Sequence, residues 1–253
     1  MISYSSEDLE NSLKSLGVGE DSFVLVHSRL LSLGTLRGYS ISEIPQQILN
    51  SFLRLVGKKG TIAVPSFSFE YCTSLDFSLL DTPASSVMGV FTEYVRQDFR
   101  SKRSNHPIQS LSAIGKLADE IGVLSSESAY GVGGAFEFVV NQKGSVVLLG
   151  CGVEAAAVIH FAEEKFQVPY RYYKSFNSLN KTDGSLLRSI SYVRDLDINP
   201  QLDTAKIHLM AKREGLIGSL GLGSGQIHCL EAAPFVDFLL EELKKDPYVL
   251  LKK

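Results

Sequence analysis

The chain has 253 residues, of which 44% are hydrophobic and 21% are charged, and its formal net charge is −3. A chain of this length can bury about three quarters of its unfolded surface, so we expect a folded protein rather than a disordered one. Because the charge is nearly balanced, the composition excludes a nucleic-acid binder that depends on a strongly basic surface.

Three cysteines, Cys72, Cys151 and Cys229, are far apart in the chain and include no C-x-x-C pair. This pattern argues against a zinc site and a disulfide framework and favours a reducing cytoplasm. The first residues are polar and acidic, and no apolar run approaches the roughly 18 residues of a membrane span. We therefore expect a soluble cytoplasmic protein without a membrane attachment.

The N-terminal half predicts strands that alternate with helices. Residues 22–28, SFVLVHS, and 60–69, GTIAVPSFSF, are short apolar runs typical of buried strands. Apolar residues recur at helical spacing between them. We expect Ser42 to cap this helix, because Pro45 then falls in the first turn, and we expect Gly57 to end it.

The same alternation continues further along the chain. Residues 88–99 predict a helix, residues 145–150 predict a strand, and a helix carrying His160 follows. This order predicts an α/β fold with a mixed, largely parallel central sheet flanked by helices, in a single domain over 1–253. Ligands of such sheets bind at the carboxyl ends of the strands.

After Tyr170 the pattern changes to aromatic-rich alternating runs on either side of KTDG, residues 181–184. An Asp-Gly pair between such runs predicts a β-hairpin, so we expect a hairpin-rich subregion over about 168–200. Asp195 and Asp197 follow its second strand directly.

Two further segments complete the chain. GLGSGQ, residues 221–226, has Gln226 where a dinucleotide-binding loop needs its third glycine, so we interpret it as a turn. Apolar residues of 234–246 recur at helical spacing and predict an amphipathic closing helix.

Two histidines have neighbours that suggest chemistry. His160 has Glu163 and Glu164 three and four residues later, which places both carboxylates on its side of a helix. His106 lies in the polar segment RSNHP, where the proline favours an extended backbone that can grip a ligand. The alternative without a catalytic role is that His160 forms an ion pair with a glutamate at the protein surface, which contributes little to stability.

Taken in order along nearly the whole chain, eight segments resemble the aminoglycoside 3-N-acetyltransferase family, a group of acyl-CoA-dependent N-acyltransferases distinct from the GNAT fold. They are VLVHSRLLSLG, GTIAVPSFSF, MGVFTE, RSNHPIQSLSAIG, VVLLGCG, IHFAEE, VPYRYYKSF and DFLLEELKKDP. The resemblance implies one α/β fold with a cleft that presents the thioester of acyl-CoA to an amine of a sugar.

The resemblance also implies roles for particular residues. The expected catalytic residues are His160 and Glu163, with Asp195 and Asp197 as further acidic candidates. The expected coenzyme A contacts are Ser28, Arg29 (where the family usually has serine), Ser66, Phe67, Ser104, Asn105 and His106. The expected acceptor contacts are Glu70, Tyr170, Arg171 and Tyr173. No metal and no covalently bound cofactor are expected.

These residue types permit direct transfer of the acyl group to an amine. Histidine can take a proton from an amine near neutral pH, and a carboxylate on its other ring nitrogen would orient it; Glu163, Asp195 and Asp197 remain alternatives for that role. A second mechanism would pass the acyl group through the Cys151 thiol. A module that binds acyl-CoA without transferring the acyl group is the non-enzymatic alternative.

The resemblance implies an amino-sugar acceptor, and we expect either an aminoglycoside or a nucleotide-linked amino sugar. Residues 154–157, Glu-Ala-Ala-Ala, replace an Asp-x-Asn-Thr run found in aminoglycoside-modifying members. If Arg171 and Lys174 face the cleft, an anionic acceptor is favoured over a polycation. The expected partners are therefore a coenzyme A thioester, acetyl or longer, and an amino sugar; a homo-oligomer is left open, and nucleic acid and membrane are not expected.

Overall fold

A computed structural model of the chain describes residues 3–72, 76–181 and 183–252. The helices of these residues are α1 (Ser6–Ser15), α2 (Ile44–Val56), α3 (Gly89–Gln97), α4 (Ala118–Gly122), α5 (Ala135–Asn141), α6 (Val158–Phe166), α7 (Thr204–Arg213) and α8 (Ala232–Lys245). The strands are β1 (Ser3–Tyr4), β2 (Phe23–Ser28), β3 (Thr35–Leu36), β4 (Thr61–Phe67), β5 (Asp76–Phe77), β6 (Lys102–Arg103), β7 (Gln109–Gly115), β8 (Ser145–Leu149), β9 (Arg171–Asn180), β10 (Leu186–Arg194), β11 (Ile217–Leu222) and β12 (Gly225–Glu231).

Helix α2 forms as its apolar spacing predicts, but its first turn differs from the prediction. The N-cap is Glu43 rather than Ser42. The Glu43 carboxylate accepts hydrogen bonds from the Ser40 backbone N–H at 2.8 Å and the Ser40 hydroxyl at 2.6 Å, so these groups fix the entry to the helix. Pro45 lies in the first turn, where its missing N–H costs no helical hydrogen bond. Gly57 ends the helix with a φ of 66°.

Seven strands form one central sheet in the order β11-β12-β8-β2-β4-β7-β6. The mixed α/β architecture predicted from the sequence is confirmed, while the parallel part is smaller than predicted. Within the central sheet, only the neighbours β8, β2 and β4 pair in parallel, and the strand pairs on both sides of them are antiparallel. The reason is that β7 and the β11–β12 hairpin, which the apolar runs did not mark as strands, add to the edges by antiparallel pairing.

Strand β2 separates two hydrophobic cores. Phe23 and Leu25 belong to the core that α5, α6 and α8 cover, while Val24 and Val26 belong to the core that α1, α2 and α3 cover. Successive side chains of a strand point to opposite faces, so an unbroken apolar run is buried on both. This double burial holds the carboxyl ends of the central strands in place.

A second, three-stranded sheet has the order β10-β9-β5. Its antiparallel β9–β10 pair is the hairpin predicted around the Asp-Gly pair, and Thr182 of the predicted turn lies outside the described residues. Across the residues that the structure covers, no helix combines the length and apolar character that crossing a membrane requires.

The GLGSGQ segment is the turn between β11 and β12, as interpreted from the sequence. Gly223 has a φ of 58°, and a Cβ atom at this position would lie 2.0 Å from the Leu33 carbonyl oxygen. The glycine is therefore required by backbone conformation and by close packing against the segment that follows β2.

Substitution of Gly223 tests this packing. Gly223→Ala should lower the free energy of unfolding by roughly 2 kcal/mol or more, because the methyl group meets backbone in a conformation that is strained for alanine. Gly221→Ala is the matched control, since a Cβ atom there meets nothing within 4 Å. Denaturant unfolding of both variants measures the difference, and equal stabilities would contradict the assignment.

Candidate active site

A cleft of about 600 Å³ lies between the carboxyl end of β4, the start of α6 and the end of β10. One wall comes from the central sheet and the opposite wall from the small sheet and the segment after it. The lining residues are Phe67, Phe69, Gln109, Tyr130, Glu154, His160, Arg171, Ser191, Tyr192, Val193, Arg194, Pro200, Gln201, Leu202 and Thr204.

Helix α6 carries His160 to the edge of this cleft. The buried strand β8 ends at Leu149, and a glycine-containing turn leads through the short 3-10 helix Val153–Ala155 to the start of α6. Val158, Ile159 and Ala162 are buried in the core, which fixes the rotation of the helix about its axis. His160 consequently faces the cleft with 33% of its side chain exposed.

The imidazole of His160 is paired with a fully buried carboxylate. His160 Nδ1 lies 2.6 Å from Glu163 Oε2, and the Glu163 side chain has no exposed surface. The three-residue spacing on one helix brings the two side chains together. If Nδ1 carries the proton that this contact requires, Nε2 is left as an acceptor, which is the form that a general base needs.

Arg171, the first residue of β9, is the second partner of this carboxylate. Its Nη2 lies 2.9 Å from Glu163 Oε2 and 3.2 Å from His160 Nδ1, and its Nη1 donates to the Tyr192 carbonyl at 3.1 Å. Burial alone would raise the pKa of Glu163, but its hydrogen bonds with His160 and Arg171 and the positive charge of Arg171 lower it below the ordinary value. Glu163 is therefore an anion inside the protein.

The neighbouring carboxylate, Glu164, has a different environment. Both of its oxygens accept from the Ser128 hydroxyl, at 2.6 and 2.9 Å, and burial raises its pKa. Glu164 therefore ties α6 to the loop before α5 and does not contact His160, although the sequence places both glutamates on the side of the helix that carries His160.

Comparison with known proteins identifies the family to which the chain belongs. A family model described as aminoglycoside 3-N-acetyltransferase matches residues 25–244. The chain belongs to the aminoglycoside 3-N-acetyltransferase family. It is therefore an acyl-CoA-dependent N-acyltransferase, with acetyl-CoA as its cosubstrate.

Individual relatives are distant in sequence but similar in length and fold. The chain is 26% identical to aminoglycoside N(3)-acetyltransferase IV of a Salmonella species, with 96% of this chain and 89% of the relative covered. It is 26% identical to the aminoglycoside N(3')-acetyltransferase-like protein YokD of Bacillus subtilis, covering 65% of this chain and 66% of the relative. A structure of AAC-IIIb in binary complex with CoASH superposes with a TM-score of 0.83 at 21% identity, covering 96% and 97% of the two chains.

Of the residues that the family resemblance assigns to coenzyme A, Phe67 alone is among those that line the cleft of the described structure. Ser66 Oγ donates to the Ser112 hydroxyl at 2.6 Å, and Ser104 Oγ accepts from the Leu111 N–H at 2.9 Å. His106 is buried; its Nδ1 accepts the N–H groups of Ile108 and Gln109, and burial lowers its pKa to about 4. These side chains hold the polar segment against β7.

The remaining coenzyme A candidates lie on exposed or half-buried segments. Ser28 ends β2, and its hydroxyl is buried without a hydrogen-bond partner. Arg29 is largely exposed, 3.8 Å from Glu154 at the edge of the cleft. Asn105 is half-buried, and its backbone N–H donates to the Leu124 carbonyl.

Asp195 and Asp197 form a turn after β10 in which Asp195 Oδ1 accepts the Asp197 N–H at 3.0 Å. Within the described residues neither carboxylate has a hydrogen bond or an ion pair with His160, so Glu163 is the acidic partner of the imidazole among the three candidates. No group of three or more His, Cys, Asp or Glu side chains in residues 3–72, 76–181 and 183–252 is arranged to hold a metal ion.

Among the expected acceptor contacts, Arg171 lines the cleft, while the other three lie beside it or behind it. Tyr170 is buried, and burial followed by the charge of Glu163 raises its pKa. Tyr173 stacks on Tyr192 with ring centroids 4.8 Å apart. Glu70, on the 3-10 helix Phe69–Cys72, accepts a hydrogen bond from Ser85 and is adjacent in sequence to the cleft residue Phe69.

Sequence reasoning did not single out Tyr130, Gln109 and Ser191 as site residues. The Tyr130 ring meets the His160 ring edge-on at 6.0 Å between centroids, and Gln109 accepts from the Ser191 hydroxyl at 3.1 Å. Gln109 lies in a segment quoted for the resemblance. Tyr130 and Ser191 carried no local signal, because tertiary folding alone brings them to the cleft.

The ionised state of Glu163 predicts a dependence of stability on pH. Because its pKa is lower in the folded protein than the ordinary value of 4.5, its contribution is fully present above that pH and is lost as the pH falls through the folded-state pKa. Glu163→Gln should therefore cost roughly 3 kcal/mol at neutral pH, since it leaves Arg171 buried beside an uncharged amide.

Chemical denaturation of the wild type and Glu163→Gln between pH 3 and 7 measures this contribution. The stability difference should narrow below about pH 4. Glu154→Gln is the control, because the Glu154 side chain is 43% exposed at the same cleft. A Glu163→Gln protein as stable as the wild type at pH 7 would contradict the buried ion pair.

Proposed function

We propose that the chain transfers the acyl group of acetyl-CoA to an amine of an aminoglycoside, with His160 as the general base and Glu163 as its orienting carboxylate. The observation that carries this proposal is the contact between His160 Nδ1 and the buried Glu163 at 2.6 Å, on a ring that is 33% exposed in the cleft. A histidine held in this way presents one ring nitrogen to a ligand.

The chemistry requires a proton to leave the amine. A protonated amine has no lone pair, so the acceptor reacts as the free amine after it has lost one proton to solvent. Its nitrogen attacks the thioester carbon, and His160 Nε2 takes a second proton from that nitrogen as the tetrahedral intermediate forms. Glu163 stabilises the imidazolium through Nδ1–H. The carbon–sulfur bond then breaks, and Nε2 returns its proton to the departing coenzyme A sulfur. The products are an amide and the free thiol of coenzyme A.

Transfer through the Cys151 thiol is disfavoured by its environment. Cys151 is buried, is not among the residues that line the cleft, and has its pKa raised by burial to about 12. A nucleophilic cysteine needs a thiolate near neutral pH, which this environment opposes. The proposed reaction is therefore a direct transfer.

The charge condition that would favour an anionic, nucleotide-linked acceptor is not met in the cleft. An anionic acceptor was expected only if both Arg171 and Lys174 faced the cleft. Arg171 does, but its charge is balanced by Glu163 at 2.9 Å, and Lys174 lies over the Phe176 ring and does not line the cleft. Of the other charged residues that line the cleft, Glu154 and Arg194 have opposite charges. The Salmonella relative is named for an aminoglycoside acceptor.

Replacement of His160 tests the general base. His160→Gln should lower kcat by 10²- to 10⁴-fold with little change in the KM for acetyl-CoA, since the loss falls on proton transfer. His208→Gln is the matched control, because His208 packs against His228 rather than in the cleft. Release of free thiol measures turnover, and near-normal kcat in His160→Gln would refute the proposed base.

A panel of acceptors tests the substrate class. Aminoglycosides should give a higher kcat/KM than nucleotide-linked amino sugars, because the cleft offers no uncompensated basic pair for a phosphate group. Thiol release with acetyl-CoA measures both. A preference for nucleotide-linked sugars would overturn the proposed acceptor while leaving acyl transfer intact, and binding of acetyl-CoA without release for any amine would indicate a non-catalytic module.

A further inference from the structure

We propose that Arg171 is a positioning residue for the base: it keeps His160 neutral in the resting enzyme and holds the Glu163 carboxylate against Nδ1. This inference rests on the proposed function, because it concerns the proton that His160 must accept. It also gives Arg171 a different role from the acceptor contact predicted from the sequence.

The first argument is the geometry of the shared oxygen. Glu163 Oε2 lies 2.6 Å from His160 Nδ1 and 2.9 Å from Arg171 Nη2, so two donors converge on one acceptor atom. The Glu163 side chain has no exposed surface and that of Arg171 is 9% exposed, so water screens this cluster poorly. A charge change on any one of the three groups therefore acts directly on the other two.

The second argument is the sign of the charge beside the ring. A carboxylate that contacts imidazole stabilises the imidazolium and would keep a histidine protonated, which removes its capacity to act as a base. Arg171 Nη2 lies 3.2 Å from Nδ1, so protonation of His160 places two positive charges side by side. The guanidinium thus offsets the effect of Glu163, while its hydrogen bond keeps the carboxylate in position.

The third argument is the fixed position of the guanidinium. Arg171 Nη1 donates to the Tyr192 carbonyl at 3.1 Å, which ties the side chain to β10. The planar fork of arginine can bond a carboxylate and a carbonyl at the same time, whereas the single ammonium of lysine has no such geometry. The small sheet therefore positions the charge that faces the base on α6.

Other groups around His160 do not replace this charge. His27 on β2 is buried, and burial lowers its pKa to about 3, so it is neutral. Burial raises the pKa of Tyr130, Tyr170 and Tyr192, which are neutral as well. Glu164 is bonded to Ser128. The charged groups that share the cleft with the cluster are Glu154 and Arg194.

Titration of the His160 ring by NMR tests the inference without any need for an acceptor. The chain has five histidines, so labelled imidazole signals are few, and His160→Gln assigns the relevant one. Arg171→Met, which removes the charge, should raise the pKa of His160 by roughly 1 to 2 pH units. Arg171→Lys, which retains the charge, should raise it by less.

Arg194→Met is the matched control, because it removes one positive charge from the same cleft, and Arg194 has no ion pair in the described structure. It should leave the His160 titration within about 0.3 pH unit of the wild type, since an exposed charge is screened by solvent. If Arg171→Met does not fold, Arg171→Gln supplies a neutral side chain that still donates to Glu163.

The pH dependence of kcat/KM with the best aminoglycoside of the panel gives the catalytic readout. The acidic limb of this profile should move to higher pH in the neutral Arg171 variants. Ionisation of the acceptor amine affects all variants equally, so it does not contribute to the difference between their profiles. Unfolding temperatures measure any purely structural loss.

The outcomes separate the two proposals. If the neutral Arg171 variants lose stability but the His160 titration stays where it is in the wild type, Arg171 only fastens the hairpin and the inference fails. If the titration moves as expected but His160→Gln turns over normally, Arg171 does set the proton affinity of His160, but His160 is not the base and the proposed function fails. Movement of both the titration and the acidic limb supports both.

Discussion

A carboxylate with no exposed surface requires partners, and the arrangement of the site follows from this requirement. Glu163 is an anion between the His160 imidazole and the Arg171 guanidinium. An unpaired charge at this depth would cost several kcal/mol, so the fold is stable only while α6 and the small sheet remain close enough to complete the cluster. The contacts at Glu163 Oε2 therefore offset the burial of the charge and also orient the imidazole of His160.

Local spacing was sufficient to predict that His160 and Glu163 lie on the same side of a helix, but not the environment of the two side chains. His160 and Glu163 are three residues apart on a helix, and this separation alone brings their side chains together. The burial of Glu163 depends on which face of α6 meets the core. The alternation of side chains along β9 likewise could not reveal that Arg171 forms an ion pair with Glu163, because Glu163 lies on a different element, α6.

The sheet shows the same division between local and long-range information. The runs that became β2, β4 and β8 are mostly apolar, since both of their faces are buried, and they were recognised for that reason. Strand β7 was missed because it contains Ser110 and Ser112, whose hydroxyls are buried and paired with the Ser66 carbonyl and hydroxyl. Buried serines of this kind make a core strand resemble a polar loop.

The two walls of the cleft belong to different sheets, and this separation has a consequence for how substrate range can change. Helix α6 packs on the central sheet through one hydrophobic core, whereas the cleft residues Ser191 to Arg194 belong to the small sheet and Pro200, Gln201, Leu202 and Thr204 follow it. Substitution of an exposed residue on that side, such as Arg194, alters the charge offered to an incoming sugar without disturbing the buried core. Within such an architecture, divergence of acceptors among relatives requires remodelling of one side only, provided that the guanidinium on β9 stays in place.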